Sequence, residues 1–201
     1  TGHTVRGLVR PTSDLRSLAG VPIRLFLGDV TDPDTLQAPM QGVEYVYHLA
    51  GALFVTDRET FQRVNVEGTR HVLDAAERHA GATLRRILIT SSLAAAGPGS
   101  GPEPIDETHP PQPISWYGES KRDMEALALA RAGRLPITIV RPSSVYGERE
   151  RDISRAFPAV AAGLQPQLGS ASNRAVMVYV GDLAQGIIAA AESDRTVGKI
   201  Y

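Results

Sequence analysis

At 201 residues, with 42% apolar and 21% charged side chains, the chain is long enough for one domain with a sizeable core. A net charge of −1, with no lysine- or arginine-rich block, argues against a nucleic-acid partner. No apolar run reaches membrane-spanning length, so no membrane partner is expected. The absence of cysteine excludes disulfides and thiolate metal sites, and fits a reducing compartment such as the cytoplasm.

The apolar segments alternate in type along the chain. "TVRGLV" (Thr4 to Val9), "IRLFLG" (Ile23 to Gly28), "YVYHLA" (Tyr45 to Ala50), "RILITS" (Arg86 to Ser91) and "ITIVRP" (Ile137 to Pro142) are short, rich in β-branched and aromatic residues, and bounded by Gly, Pro or Asp. They predict buried strands. Asp32 to Met40 predicts a short helix capped by Asp32, with Pro33 at its first position. In Glu59 to His79, Phe61, Val64, Gly68, Val72, Leu73 and Ala76 recur at helical spacing. Ser115 to Ala132 predicts another helix, with Ser115 as N-cap and Gly133 as terminator, and Val180 to Glu192 a third. Strands alternating with helices mean an α/β domain with a largely parallel, doubly wound sheet. No linker divides the chain, so residues 1–201 are expected to form a single domain. A long loop from Gly97 to Pro113, past the end of one strand, is where an open α/β sheet usually places a ligand.

Within the Ser115 helix, Tyr117 stands four residues before Lys121, one of only two lysines among 21 basic residues. Positions i and i+4 share a helix face, which sets a phenol beside an ammonium; a solvated surface pair has the same spacing. Five further signals accompany it in order: "GDVTD" (Gly28 to Asp32), "HLAG" (His48 to Gly51), "NVEGT" (Asn65 to Thr69), "ITSSLAAAG" (Ile89 to Gly97) and "RPSSVYG" (Arg141 to Gly147). With "YGESK" (Tyr117 to Lys121), this set resembles the extended short-chain dehydrogenase/reductases of the NAD(P)-dependent epimerase/dehydratase family, over Gly2 to Tyr201. The family includes nucleotide-sugar epimerases, dihydroflavonol-type reductases and 3β-hydroxysteroid dehydrogenases.

The resemblance implies a Rossmann-like fold and an enzyme that moves a hydride to or from a carbon bearing oxygen. By it, Ser92 matches the family's catalytic hydroxyl, Tyr117 its acid/base and Lys121 the supporting lysine. Asp29 and Val30 match the pair at the adenine; Leu49, Ala50 and Gly51 the turn along the dinucleotide; Asn65 the helix asparagine near the cofactor. Pro142 and Ser143 match the segment beside the nicotinamide. Taken singly, Asp29 also suits a turn cap, Asn65 a helix-bending polar residue and Ser92 an ordinary loop hydroxyl. A phenol with an ordinary pKa near 10 needs its phenolate stabilised to serve as a base, and Lys121 with the oxidised nicotinamide is expected to supply that charge.

Val9 lies where an NAD-selective member would carry an acid, and Arg10 follows it with Thr12 and Ser13, a set suited to a 2′-phosphate. NADP is therefore expected over NAD. No glycine-rich phosphate loop occurs, and the family's first strand would lie upstream of "GHTVRGLVR"; the chain is expected to be a piece of a longer enzyme that also lacks most of the substrate-binding C-terminal region. Without that central strand, the strands at Thr4 and Ile23 are expected to lose their neighbour. The substrate is expected to be a nucleotide sugar or related small molecule. The alternatives are a dihydroflavonol- or steroid-type carbonyl, or a non-catalytic NAD(P) sensor. Ala96 departs from the tyrosine often found before the glycine in sugar epimerases. The resemblance also implies a homodimer through the 59–79 and 115–132 helices.

Overall fold

A computed structural model describes residues 2–99, 101, 103–150, 157–164 and 176–201. Seven strands among these residues form three parallel sheets. β1 (Val5–Val9) pairs with β2 (Ile23–Leu27); β3 (Tyr45–His48), β4 (Arg86–Thr90) and β5 (Ile137–Val140) lie in that order; β6 (Ser144–Tyr146) pairs with β7 (Met177–Tyr179). The five expected strands all form, each within one or two residues of its expected limits, but only β4 and β5 are buried as expected; β1 and β2 are exposed or half-buried along their length, and β3 is buried only at His48. β6, β7 and a short helix at Leu93–Ala96 have no counterpart in the sequence reading, because three or four residues leave no readable period. Among the described residues β1 and β3 are not hydrogen-bonded to each other, so no ladder joins the β1–β2 pair to the central three strands, although Leu8 and Val30 pack into the central core. Arg6 links the two units by donating to the carbonyls of Pro39 and Gln41.

Helices α1 (Gln37–Met40), α2 (Arg58–Phe61), α3 (Gly68–Ala75), α4 (Leu93–Ala96), α5 (Trp116–Leu129), α6 (Phe157–Ala161) and α7 (Val180–Glu192) follow in chain order. Asp32 caps a 3₁₀ turn, Pro33–Leu36, that feeds α1, with its carboxylate accepting from the Asp34 N–H. The expected helix over Glu59–His79 is continuous from Arg58 to Ala80 but winds more widely in two stretches, Gln62–Glu67 and Ala76–Ala80. Ser115 caps α5, accepting from the Gly118 N–H at 3.1 Å. That helix stops at Leu129, before the expected Gly133, in a run of tight turns from Ala130 to Leu135.

Alternation in the central strands explains why both sheet faces are covered. Ile87 and Ile89 of β4 face one core with Ile137, Ile139, Leu73 and Met124; Leu88 and Val140 face the other, against Ala191 of α7. The buried Arg86 side chain donates to the carbonyls of Ala191 and Ser193 at 3.2 and 2.8 Å, so its charge satisfies groups left open at the end of α7.

Two close fits fix the segments around Ser92 and Tyr117. A Cβ on Gly118 would collide with the Ala94 carbonyl oxygen, so α5 and α4 meet backbone to backbone. Gly97, with φ of 79°, ends α4; a Cβ there would collide with the carbonyl oxygen of Gln112, whose N–H donates to Ala96 O at 2.8 Å. His48, at the end of β3, is buried, and its Nε2 lies 2.8 Å from Thr69 Oγ1, which itself donates to Asn65 O. The imidazole therefore donates through Nε2. Burial first, and the Lys121 charge second, hold its pKa down to about 4.

Gly118→Ala should force α4 and α5 apart, lowering unfolding free energy by about 1–3 kcal/mol in denaturant titration. For His48 the folded pKa lies below the unfolded one. Between pH 6.5 and about 4 the unfolded chain binds a proton that the folded chain refuses, and stability falls as pH drops through that window. In His48→Gln the midpoint measured by thermal melts should fall less steeply over the same interval.

Candidate active site

Ser92, Tyr117 and Lys121 converge from β4 and α5. Ser92 follows β4 and caps α4, accepting from the Ala94 N–H at 3.2 Å; its hydroxyl also interacts with the Tyr117 phenol. Tyr117 lies in the first turn of α5, its ring 5.9 Å from that of Phe61 in α2. The missing Cβ at Gly118 is what lets this turn approach the Ser92 segment. Lys121, one helical turn on, is buried at 5% exposure and donates from Nζ to Thr90 O at 2.9 Å, with Nζ 5.9 Å from the Tyr117 ring centre. So the Tyr117/Lys121 pair is not a solvated surface pair.

The electrostatics differ in one respect from the sequence expectation. Burial pushes the Tyr117 phenol up, and the Ser92 hydroxyl offsets this only in part, so the phenol is raised rather than lowered. Burial also lowers Lys121 to about 8, against a smaller upward pull from Glu125. Desolvation dominates both groups.

A second set of residues braces this centre. Asn65 is fully buried inside the wide helical stretch; its Oδ1 accepts from Ala52 N at 2.7 Å, and its Nδ2 donates to Ala52 O and Ser120 Oγ. Both amide protons are thus committed within the protein, and Asn65 ties the turn after β3 to α5. Gly51 lies in the same corner: a Cβ there would sit 3.1 Å from Asn65 Oδ1 and 3.3 Å from Lys121 Nζ. Leu49, Ala50 and Gly51 are exposed at the end of β3. Pro142 and Ser143 are partly buried, and Pro142 O accepts from Leu93 N at 2.9 Å, which sets this segment beside Ser92.

Three expected residues follow β1 and β2 instead. Arg10 is exposed at the end of β1, and its guanidinium has no hydrogen-bond or ion-pair partner among the described residues. Asp29 follows β2, and its Oδ1 accepts from both Thr31 N and Thr31 Oγ1, the turn-capping arrangement. Val30 is a core residue, and its carbonyl lies 2.9 Å from His71 Nδ1. Each of the two sets lies just past the carboxyl ends of parallel strands, the edge where open α/β sheets bind ligands. Sequence reasoning missed Gly118, Ser120, Glu125 and the Thr90 carbonyl. Only Gly118, directly after the tyrosine, carried a readable signal.

The chain is similar to proteins of several activities. The family model described as "NAD dependent epimerase/dehydratase family" matches residues 1–201. The N-acetyl-α-D-glucosaminyl-diphospho-ditrans,octacis-undecaprenol 4-epimerase of Escherichia coli is 32% identical over 168 residues, covering 80% of this chain and 49% of that protein. The 3 beta-hydroxysteroid dehydrogenase/Delta 5→4-isomerase of Mycobacterium tuberculosis is 32% identical over 204 residues, covering 94% of this chain and 54% of that one. A dTDP-glucose 4,6-dehydratase from Streptomyces venezuelae, solved with NAD and TYD bound, superposes with a TM-score of 0.83 at 26% identity, over 98% of this chain and 65% of that one. The chain thus spans about half the length of the curated relatives it matches. With a match along its whole length and Rossmann-type parallel strands, the chain belongs to the NAD-dependent epimerase/dehydratase family.

Proposed function

We propose that this chain is the dinucleotide-binding part of an NAD(P)-dependent oxidoreductase or epimerase acting at a hydroxyl or carbonyl carbon, with Tyr117 as acid/base. The convergence of Ser92, Tyr117 and Lys121 in one partly dry corner carries the reading. Hydride exchange is the chemistry a nicotinamide cofactor supplies when bound. The residues present suit that group: Lys121 has two ammonium protons beyond the one given to Thr90, and the exposed Leu49–Gly51 turn opens beside it. In this reading Ser92 donates to the substrate oxygen and holds it near the phenol, while Tyr117 gives or takes the proton at that oxygen. Lys121 would hold the ribose of the dinucleotide with its remaining ammonium protons. Its charge, with that of the oxidised nicotinamide, offsets the burial that raises the phenol. Asp29 and Val30 would hold the adenosine end, and Pro142 and Ser143 would lie beside the nicotinamide.

Arg10, with Thr12 and Ser13, favours NADP over NAD. Residues 1–201 act as one domain, in a cytoplasmic homodimer built on the 59–79 and 115–132 helices; a monomer by light scattering at micromolar concentration would count against that assembly. Among the described residues no helix is long and apolar enough to cross a membrane.

For the substrate, a nucleotide sugar is the first reading. The second, a carbonyl or hydroxyl compound with an apolar body, is favoured by large exposed side chains flanking the site: Phe54 (75%) beyond Ala52, and Ile114 (83%) and Trp116 (52%) before Tyr117. The relative named for a steroid substrate agrees with it.

Tyr117→Phe should lower turnover at least about 100-fold while leaving dinucleotide affinity within about twofold. A full-length protein that binds dinucleotide but turns over neither substrate class would favour the sensor reading. In fluorescence titrations, Arg10→Ala should weaken NADPH binding about tenfold and leave NADH unchanged. Equal losses for both would remove the NADP preference.

A further inference from the structure

Two charged groups buried beside the site are ones the proposed chemistry does not use. Glu125 of α5 and Arg141, which follows β5, have side chains only 3% and 6% exposed. They form a bidentate pair, Arg141 Nε to Oε1 at 2.8 Å and Nη2 to Oε2 at 2.7 Å. Ser91 Oγ donates to the same Oε1 at 2.5 Å. Ser91 directly precedes Ser92, and Arg141 directly precedes Pro142. The backbone closes the same seam, Ser91 N donating to Val140 O and Leu93 N to Pro142 O.

We propose that Glu125 is a positioning residue for the site: one buried carboxylate ties the ends of β4 and β5 to α5 and faces the Lys121 ammonium from one helical turn away. The inference rests on the roles proposed for Ser92 and Lys121. Its physical basis is that a carboxylate has four acceptor positions, and here three carry directed donors from two strand ends. Ser92 and Pro142 thereby inherit their placement from the helix that carries Tyr117 and Lys121. The groups around Lys121 are the neutral His48 of β3, the Thr90 carbonyl of β4, the Asn65 amide, and Tyr117 and Glu125 on its own helix. Glu125 is the anion in this set. Its upward pull on the Lys121 pKa agrees with the arrangement.

With two lysines in the chain, Lys121 and Lys199, ¹³Cε-lysine NMR can follow Lys121 directly through a pH titration. In Glu125→Gln its midpoint should drop by about one pH unit from the wild-type value, and Glu125→Asp should recover at least half of that drop. An unchanged midpoint in Glu125→Gln, even with a lowered melting temperature, reduces Glu125 to a structural ion-pair partner and overturns the proposal. Should Glu125→Gln fail to fold, the Glu125→Met/Arg141→Leu double variant removes both buried charges while keeping their volume. The midpoint should then fall by at least about half a unit, and no change overturns the proposal equally. No substrate enters this titration, so its failure is separate from that of the proposed chemistry, which Tyr117→Phe tests.

Discussion

The approach of α5 to the turn after β4 is the constraint on which the rest of the site depends. Gly118 lets the first turn of that helix lie against the Ala94 backbone, and the same turn carries the Tyr117 phenol to Ser92. Further along, Lys121, Met124, Glu125 and Ala128 are buried together. One helix face therefore packs the core with its apolar members and builds a polar corner with its charged ones. A shift of α5 by a fraction of a turn would move both at once, because rows of side chains at spacing of three and four are rigidly linked.

Burial sets the character of the polar groups here. Lys121, His48 and Tyr117 are all displaced toward their neutral forms, each with desolvation as the main cause. A protonated lysine beside a neutral histidine and a neutral phenol is a low-charge corner, in which an arriving cation or anion meets little screening. Glu125 and Arg141 instead pair with each other a turn deeper, where their geometry saturates most of the carboxylate's capacity.

Much of the fold and part of this site are legible in the sequence. β-branched runs bounded by Gly and Pro locate β1 to β5; β4 and β5 are covered on both faces and so are apolar on both sides, whereas the same composition in β1 and β2 does not reveal that these strands lie largely exposed. Ser115 and Asp32 announce their helix starts through cap chemistry. The tyrosine–lysine spacing marks one helix face, and the ordered motifs mark the family. Contacts between distant segments leave no such trace. Glu125 looks like any helix glutamate until Arg141 and Ser91 arrive from two strands, and Arg86 like a surface strand-end residue until α7 docks on it. The wide turns around Asn65 leave no mark on hydrophobic periodicity either. The raised phenol of Tyr117 departs from expectation for the same reason: its charge neighbours are foreseeable, the depth of its burial is not.

The pin between Gly97 and Gln112 bears on how such a site can change its substrate. A loop whose two feet are fastened together, next to the helix that Ser92 caps, can be lengthened, shortened or rewritten at its crown without disturbing the hydroxyl or the phenol. Selectivity and reactivity then become separable traits. A lineage, or an engineer grafting loops, could exchange the residues between these feet while the residues proposed to move the proton stay fixed beneath them.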